Sequence, residues 1–138
     1  MAERPDAVET ALRALRAHDR SAAELDARLE QRGVGAAERA DALATLERIG
    51  YVDDARFARS RAELLAERGS GDALIRHDLE RRGIAAELVD AALAELEPEP
   101  ERAAWIVRRR GPGAKTARYL ASRGFAEEAL AAAVAAEE

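Results

Sequence analysis

The chain has 138 residues, a net charge of −5 and no cysteine, which excludes a disulfide framework and thiolate chemistry. Aromatic residues make up only 4% of it, so any core is built mainly from Leu and Ala, and several small packed units are expected rather than one large one. No run approaches the roughly 18 apolar residues that a bilayer span needs, and the acidic opening from Met1 to Thr10 lacks the apolar stretch of a signal peptide, so a soluble cytoplasmic protein is the expectation.

In chain order, Val8, Leu12 and Leu15 are spaced for one face of a first helix. Ser21-Ala-Ala-Glu24 then reads as a capping box, in which the serine takes a free N–H of the first turn and the glutamate reaches back. The helix it opens carries Leu25 and Leu29 on one face and stops at Gly33, a residue that enters the left-handed conformation at little cost. A third helix follows with Leu43 and Leu46, and Leu46-x-x-Ile49-Gly50-Tyr51 repeats the stop. Asp53 is a good N-cap for the next helix, with Val52 and Phe57 placed as a hydrophobic staple. Helices are predicted near 53–68, 71–82 and 85–96. Pro98 and Pro100 within Glu97-Pro-Glu-Pro-Glu101 read as a short hinge. Helices near 101–110, 113–123 and 126–136 complete the chain, with Gly111-Pro112-Gly113 as a turn. No segment alternates β-branched residues as a strand would.

Leu-x-x-Arg-Gly followed by an apolar residue occurs as Leu29 to Val34, Leu79 to Ile84 and Leu120 to Phe125, with Gly33, Gly83 and Gly124 spaced 50 and 41 residues apart. Relative to each glycine, aliphatic residues recur at −18 (Leu15, Leu65, Ile106), −4 (Leu29, Leu79, Leu120) and +10 (Leu43, Leu93, Val134). Position +13 is Leu46 and Leu96, then Glu137. A period of this size marks one supersecondary unit stacked on itself. The predicted fold is all-α, three tandem three-helix repeats in an elongated, curved array, with boundaries at 1–50, 51–97 and 98–138. The motif leucines, glycines and apolar residues are structural, as helix stops; Arg32, Arg82 and Arg123 suit either the negative end of a helix or an outside contact.

Charge is unevenly placed. Residues 1–101 hold 15 basic and 23 acidic residues, and residues 124–138 hold four acids and no base. Between them, Arg102, Arg108, Arg109, Arg110, Lys115, Arg118 and Arg123 form a stretch with no acid at all. With Trp105 and Tyr119 in it, the stretch suits a nucleic-acid or filament contact, since arginines neutralise phosphates and rings stack on unpaired bases. The same residues also suit a helix end and a core.

Several segments carry a resemblance. Gly50-Tyr-Val-Asp-Asp-Ala-Arg-Phe-Ala58 resembles the signature of the RecX family, regulators of the bacterial RecA recombinase. The helix and stop from Gly71 to Ile84, the segment Ala117 to Phe125 and the early Arg20-Ser-Ala-Ala-Glu-Leu25 are similar to other parts of that family, and together they cover about Ala7 to Ala135. The resemblance implies three three-helix repeats, and a monomer that binds within the RecA–DNA filament, meets single-stranded DNA there, and restrains ATP hydrolysis and strand exchange. The family's second helix is usually strongly basic, whereas here Glu24, Asp26 and Glu30 accompany Arg28 and Arg32. This departure moves the expected contacts to the second and third repeats, adding Arg76, Arg81 and Arg82 to the basic stretch.

Tyr51, Asp53, Asp54, Phe57, Gly33, Gly83 and Gly124 are then structural residues of the family motif, with Tyr51 and Phe57 packed between helices. Asp53 and Asp54 sit at a helix start, where negative charge is favoured, rather than as a catalytic or metal pair. His18 and His77 show no ligand spacing. There is no phosphate loop, nucleophile pair or metal motif, so neither an enzyme nor a cofactor is expected. The alternative reading is a stand-alone DNA-binding module, since three-helix units resemble helix-turn-helix domains.

Overall fold

The computed structural model describes residues 6–136. Among them there are nine α-helices and no strand: α1 (Ala7–Ala17), α2 (Ala22–Gln31), α3 (Ala36–Arg48), α4 (Asp54–Glu67), α5 (Asp72–Arg81), α6 (Ala86–Ala94), α7 (Glu99–Arg110), α8 (Ala114–Ser122) and α9 (Glu127–Ala136). The helix ends follow from local chemistry. Ser21 Oγ accepts from Glu24 N at 3.1 Å while Glu24 Oε1 accepts from Ser21 N at 3.1 Å, which completes the capping box. Asp53 Oδ1 accepts from Arg56 N at 3.1 Å and so starts α4. At the other end, Gly33 has φ 84° and Val34 N donates to Leu29 O at 3.1 Å, a six-to-one closure that satisfies a free carbonyl and seats the next side chain on the helix. Leu120 to Phe125 and Leu46 to Tyr51 close in the same way, at 3.1 and 2.9 Å.

A further stop went unread in the sequence. Leu65-x-x-Arg68-Gly69 is followed by Ser70, not by an apolar residue; nonetheless Ser70 N donates to Leu65 O at 3.0 Å.

Tertiary contacts divide the chain into two compact units, one running to Phe57 and including Arg82–Ile84, the other comprising Ala58–Arg81 and the chain from Ala85 onward. In the first unit, α1 packs on α2 and α3. Its core holds Ala11, Leu25, Leu29, Val34, Ala42, Leu46 and Val52. The face of α1 differs from the expected one. Ala7, Ala11 and Ala14 are buried, while Val8, Leu12 and Leu15 are only partly so. Small side chains let the helix backbones approach closely, and the larger ones fill the flanks. Phe57 and Val52 are buried as a staple requires, but Tyr51 is 56% exposed, so it does not pack between helices as the sequence suggested. Its backbone is spent closing the stop at Gly50, and its side chain faces solvent.

In the second unit, α5 packs on α6, and α7 packs chiefly on α9. Ile75, Leu79 and Val89 are fully buried, as are Ala103, Val107, Leu120 and Ala133 to within 2%. The repeat is clearest at positions beside those first noticed. The residue eight before each motif glycine (Leu25, Ile75, Thr116) and the alanine nine after it (Ala42, Ala92, Ala133) are buried in all three copies. The third copies at +10 and +13, the Val134 side chain and Glu137, lie outside the described residues.

The proline segment, expected as a hinge, forms the start of α7. Pro98 is the N-cap of α7 and Pro100 stands in its first turn, where a missing N–H costs nothing. Glu99, the first residue of α7, accepts from Asp72 N through Oε2 at 2.6 Å and from Ala126 N through Oε1 at 2.9 Å. One carboxylate thus satisfies free donors at the starts of both α5 and α9. Asp54, the first residue of α4, does the same for α2 by accepting from Ala22 N at 2.8 Å.

Candidate nucleic-acid or filament interface

The cations expected to make contacts have very different fates. On α5, Arg76 pairs with Asp90 at 2.6 Å and with Glu80 at 3.8 Å. The hydrogen bond to Asp90 raises the guanidinium pKa further above its ordinary value, although burial acts against it. Arg81 is exposed and lies 3.9 Å from Asp78. Arg82 donates to Glu24 Oε2 at 2.9 Å, and Ser21 Oγ donates to the Arg82 carbonyl at 2.6 Å. Arg76, Arg81 and Arg82 therefore each lie beside an acid of the chain.

Arg102 is buried and Arg123 half-buried, and both are bonded to partners within the chain. Arg102 is only 8% exposed. It donates to Asp72 Oδ1 at 2.8 Å, to the Ser70 carbonyl at 3.0 Å and to the Glu97 carbonyl at 3.2 Å. Arg123 donates to the Arg68 carbonyl at 3.1 Å and to Ser70 Oγ at 3.3 Å. Both guanidinia hold the turn at Gly69–Ser70. The sequence held a signal for Arg102, because it shares the helical face of Ala103, Ile106 and Val107, the buried or half-buried side of α7.

The opposite face of α7 is the exposed one. Trp105, Arg108 and Arg109 stand at i, i+3 and i+4 and are all exposed. The Arg108 guanidinium carbon lies 4.5 Å from the centre of the Trp105 ring. Arg110 lies over Tyr119 at 3.7 Å, and the Tyr119 hydroxyl rests beside Gly69. On α8, Lys115 and Arg118 are exposed. A cavity of about 760 Å³ opens beside α7, and its lining includes Glu63, Glu67, Glu95 and Glu97 together with Trp105, Arg109 and Arg110. The remaining basic surface is thus narrower than the sequence stretch implied: Arg108, Arg109, Lys115 and Arg118, with Arg110 drawn onto a ring.

No group of three or more His, Cys, Asp or Glu side chains suited to a metal occurs among the described residues. Asp53 and Asp54 are engaged as helix caps. No helix among the described residues is long and apolar enough to cross a membrane.

Comparison with known proteins places these features. The model of the second three-helix domain of RecX matches residues 53–93, the span that holds α4, α5 and α6. A regulatory protein RecX from Halorhodospira halophila is 33% identical over 94% of this chain and 88% of its own length. The chain belongs to the RecX family. A regulatory protein RecX from Deinococcus radiodurans is 34% identical over 83% of this chain, and the match spans 60% of that longer protein. The crystal structure of RecX from Lactobacillus salivarius has the same fold, with a TM-score of 0.82 over 94% of this chain and 93% of that one at 17% identity. The family fold is thus three three-helix repeats here as well, built with an acidic α2.

Proposed function

We propose that the chain is a non-enzymatic regulator that binds the RecA–DNA filament and restrains its ATP hydrolysis and strand exchange. Family membership supports the RecA partner. The observation that carries the contact is the exposed set Arg108, Arg109, Lys115 and Arg118, in a stretch from 102 to 123 that holds no acidic residue. Such a surface neutralises phosphates. The three repeats, at 1–50, 51–97 and 98–138, divide the work: the third meets the DNA, and the more acidic first two meet protein. Contacts made by linked repeats add, because each later contact forms at high effective concentration. A regulator held across protomers biases the filament toward the state it binds better. It acts in the cytoplasm as a monomer and without a cofactor.

The test is single-stranded-DNA-dependent ATP hydrolysis by the cognate recombinase, titrated with the chain. The rate should fall at fewer regulator molecules than recombinase protomers, and Arg108→Glu with Arg109→Glu should shift the titration at least about tenfold, as reversing two phosphate contacts requires. An unchanged rate at equimolar chain would sink this reading; DNA binding that persists on its own would then favour a stand-alone DNA-binding module.

A further inference from the structure

We propose that Trp105 is a stacking platform for one unpaired base, and that Arg108 and Arg109 hold the phosphates flanking that base. The inference deepens the DNA contact proposed above and rests on it. Trp105 is the only tryptophan of the chain, and 55% of it is exposed. A ring of this size normally buries most of its area, yet the helix gives this one no route inward, since Arg102, Ala103 and Val107 already occupy the buried face of α7. The indole therefore stands in solvent with a cation 4.5 Å from its ring centre and a second, Arg109, one helical turn along the same face.

Tyr119 looks equivalent in sequence but is not in the structure. Arg110 lies 3.7 Å over its ring and its hydroxyl packs beside Gly69, so it is a half-buried support. The acids matter too. Glu63, Glu67, Glu95 and Glu97 line the cavity beside Trp105, and Glu101 lies one turn before it on α7. Phosphates are repelled from these carboxylates and drawn to Arg108 and Arg109. The strand is thereby steered along the C-terminal part of α7 with a base, its uncharged part, turned to the indole.

Two properties follow. Stacking uses the face common to all bases, so the site is tolerant of sequence. The base must also be free of its neighbours and of its pairing partner, so the site selects single strands over duplex. Trp and Arg are equally the residues that anchor protein interfaces, which makes a protein partner the rival occupant.

Because Trp105 is the only tryptophan, its emission reports on the site without labelling. The full chain is titrated, without recombinase, with an oligothymidylate and with a duplex of equal length, while binding is followed separately by the anisotropy of a labelled oligonucleotide. Saturable quenching by the single strand is expected, with little quenching by the duplex. Trp105→Ala should weaken single-strand binding about tenfold, the effect of losing one stacked base. Trp105→Phe should retain most of the affinity, and circular dichroism should show both variants equally helical.

Oligonucleotide binding without quenching, unchanged binding by Trp105→Ala, no binding at all, or a change in emission only on adding recombinase would each overturn the proposal, the last in favour of a protein anchor. The same Trp105→Ala variant in the ATP-hydrolysis titration separates the two readings. Regulation that survives while stacking fails leaves the filament regulator standing. Stacking without any effect of the chain on hydrolysis removes the regulator and leaves the base site.

Discussion

The first and third copies of the Leu-x-x-Arg-Gly stop are nearly the same in sequence and quite different in what surrounds them. Around Gly33, a Cβ would meet nothing within 4 Å. At Gly124 it would lie 2.7 Å from Leu74 N and 2.8 Å from Leu74 Cβ, and at Gly83 it would run into Ala23 Cβ. The difference lies in what packs on each stop. In the second and third copies the stop sits on the start of the middle helix of the preceding repeat: Gly71 N donates to the Arg123 carbonyl at 2.7 Å and Ala73 N to the Gly124 carbonyl at 3.2 Å. No described segment packs on the first copy in this way, since an atom added at Gly33 meets nothing within 4 Å. All three glycines have φ between 81° and 86°, so the local reason for glycine is common to all and the tertiary reason applies only to two. The arginines follow the same division. Arg32 is exposed, while Arg82 bonds to Glu24, and Arg123 bonds to the Arg68–Ser70 turn.

Substitutions turn this contrast into a graded series, read by urea titration. Gly124→Ala should have the largest effect, about 4 kcal/mol, because it combines a strained positive φ with a clash against the backbone of Leu74. A loss of only about 1 kcal/mol there would mean that the two segments separate easily. Arg102→Met should cost about 3 kcal/mol, mainly by leaving the Ser70 and Glu97 carbonyls without their donor. A loss under about 1 kcal/mol would mean that water takes the place of the guanidinium at those carbonyls. Glu99→Ala should cost about 2 kcal/mol, two capping interactions at once, against about 1 kcal/mol for Asp54→Ala, which removes one. Equal losses would show that one of the two bonds of Glu99 contributes little. Gly33→Ala should be mildest, about 1 kcal/mol from backbone strain alone. If Gly33→Ala proved as damaging as Gly124→Ala, the contrast between the stops would collapse.

The basic stretch shows how far a sequence reading of a site reaches. Arg102, Arg108, Arg109 and Arg123 are indistinguishable as members of a run without acids. Their fates differ because of angular position on α7 and α8, and because Asp72 and Ser70, some 30 to 50 residues earlier, wait for two of them. Helical periodicity alone separates Arg102 from Arg108, since the first falls with Ala103 and Val107 and the second with Trp105. It cannot separate Tyr119 from Trp105, because the cation over Tyr119 comes from α7 and the glycine beside it from the turn after α4.

What the sequence determined by itself was the punctuation: the nine helices of the described residues, their approximate limits and the threefold repeat. The capping box and the glycine stops are bonds between residues at most five apart, as in Ser21 with Glu24 and Leu29 with Val34, so they are written locally and can be read locally. What only the tertiary structure decided was how residues far apart in the chain complete one another. The single carboxylate of Glu99 starts two helices, Gly124 is glycine for a second reason, the leucines of α1 yield its inner face to alanines, and the basic stretch divides into struts and surface. Each of those outcomes depends on groups brought together from distant parts of the chain, where burial sets the energy of a charge or a methyl group and sequence spacing carries no record of it.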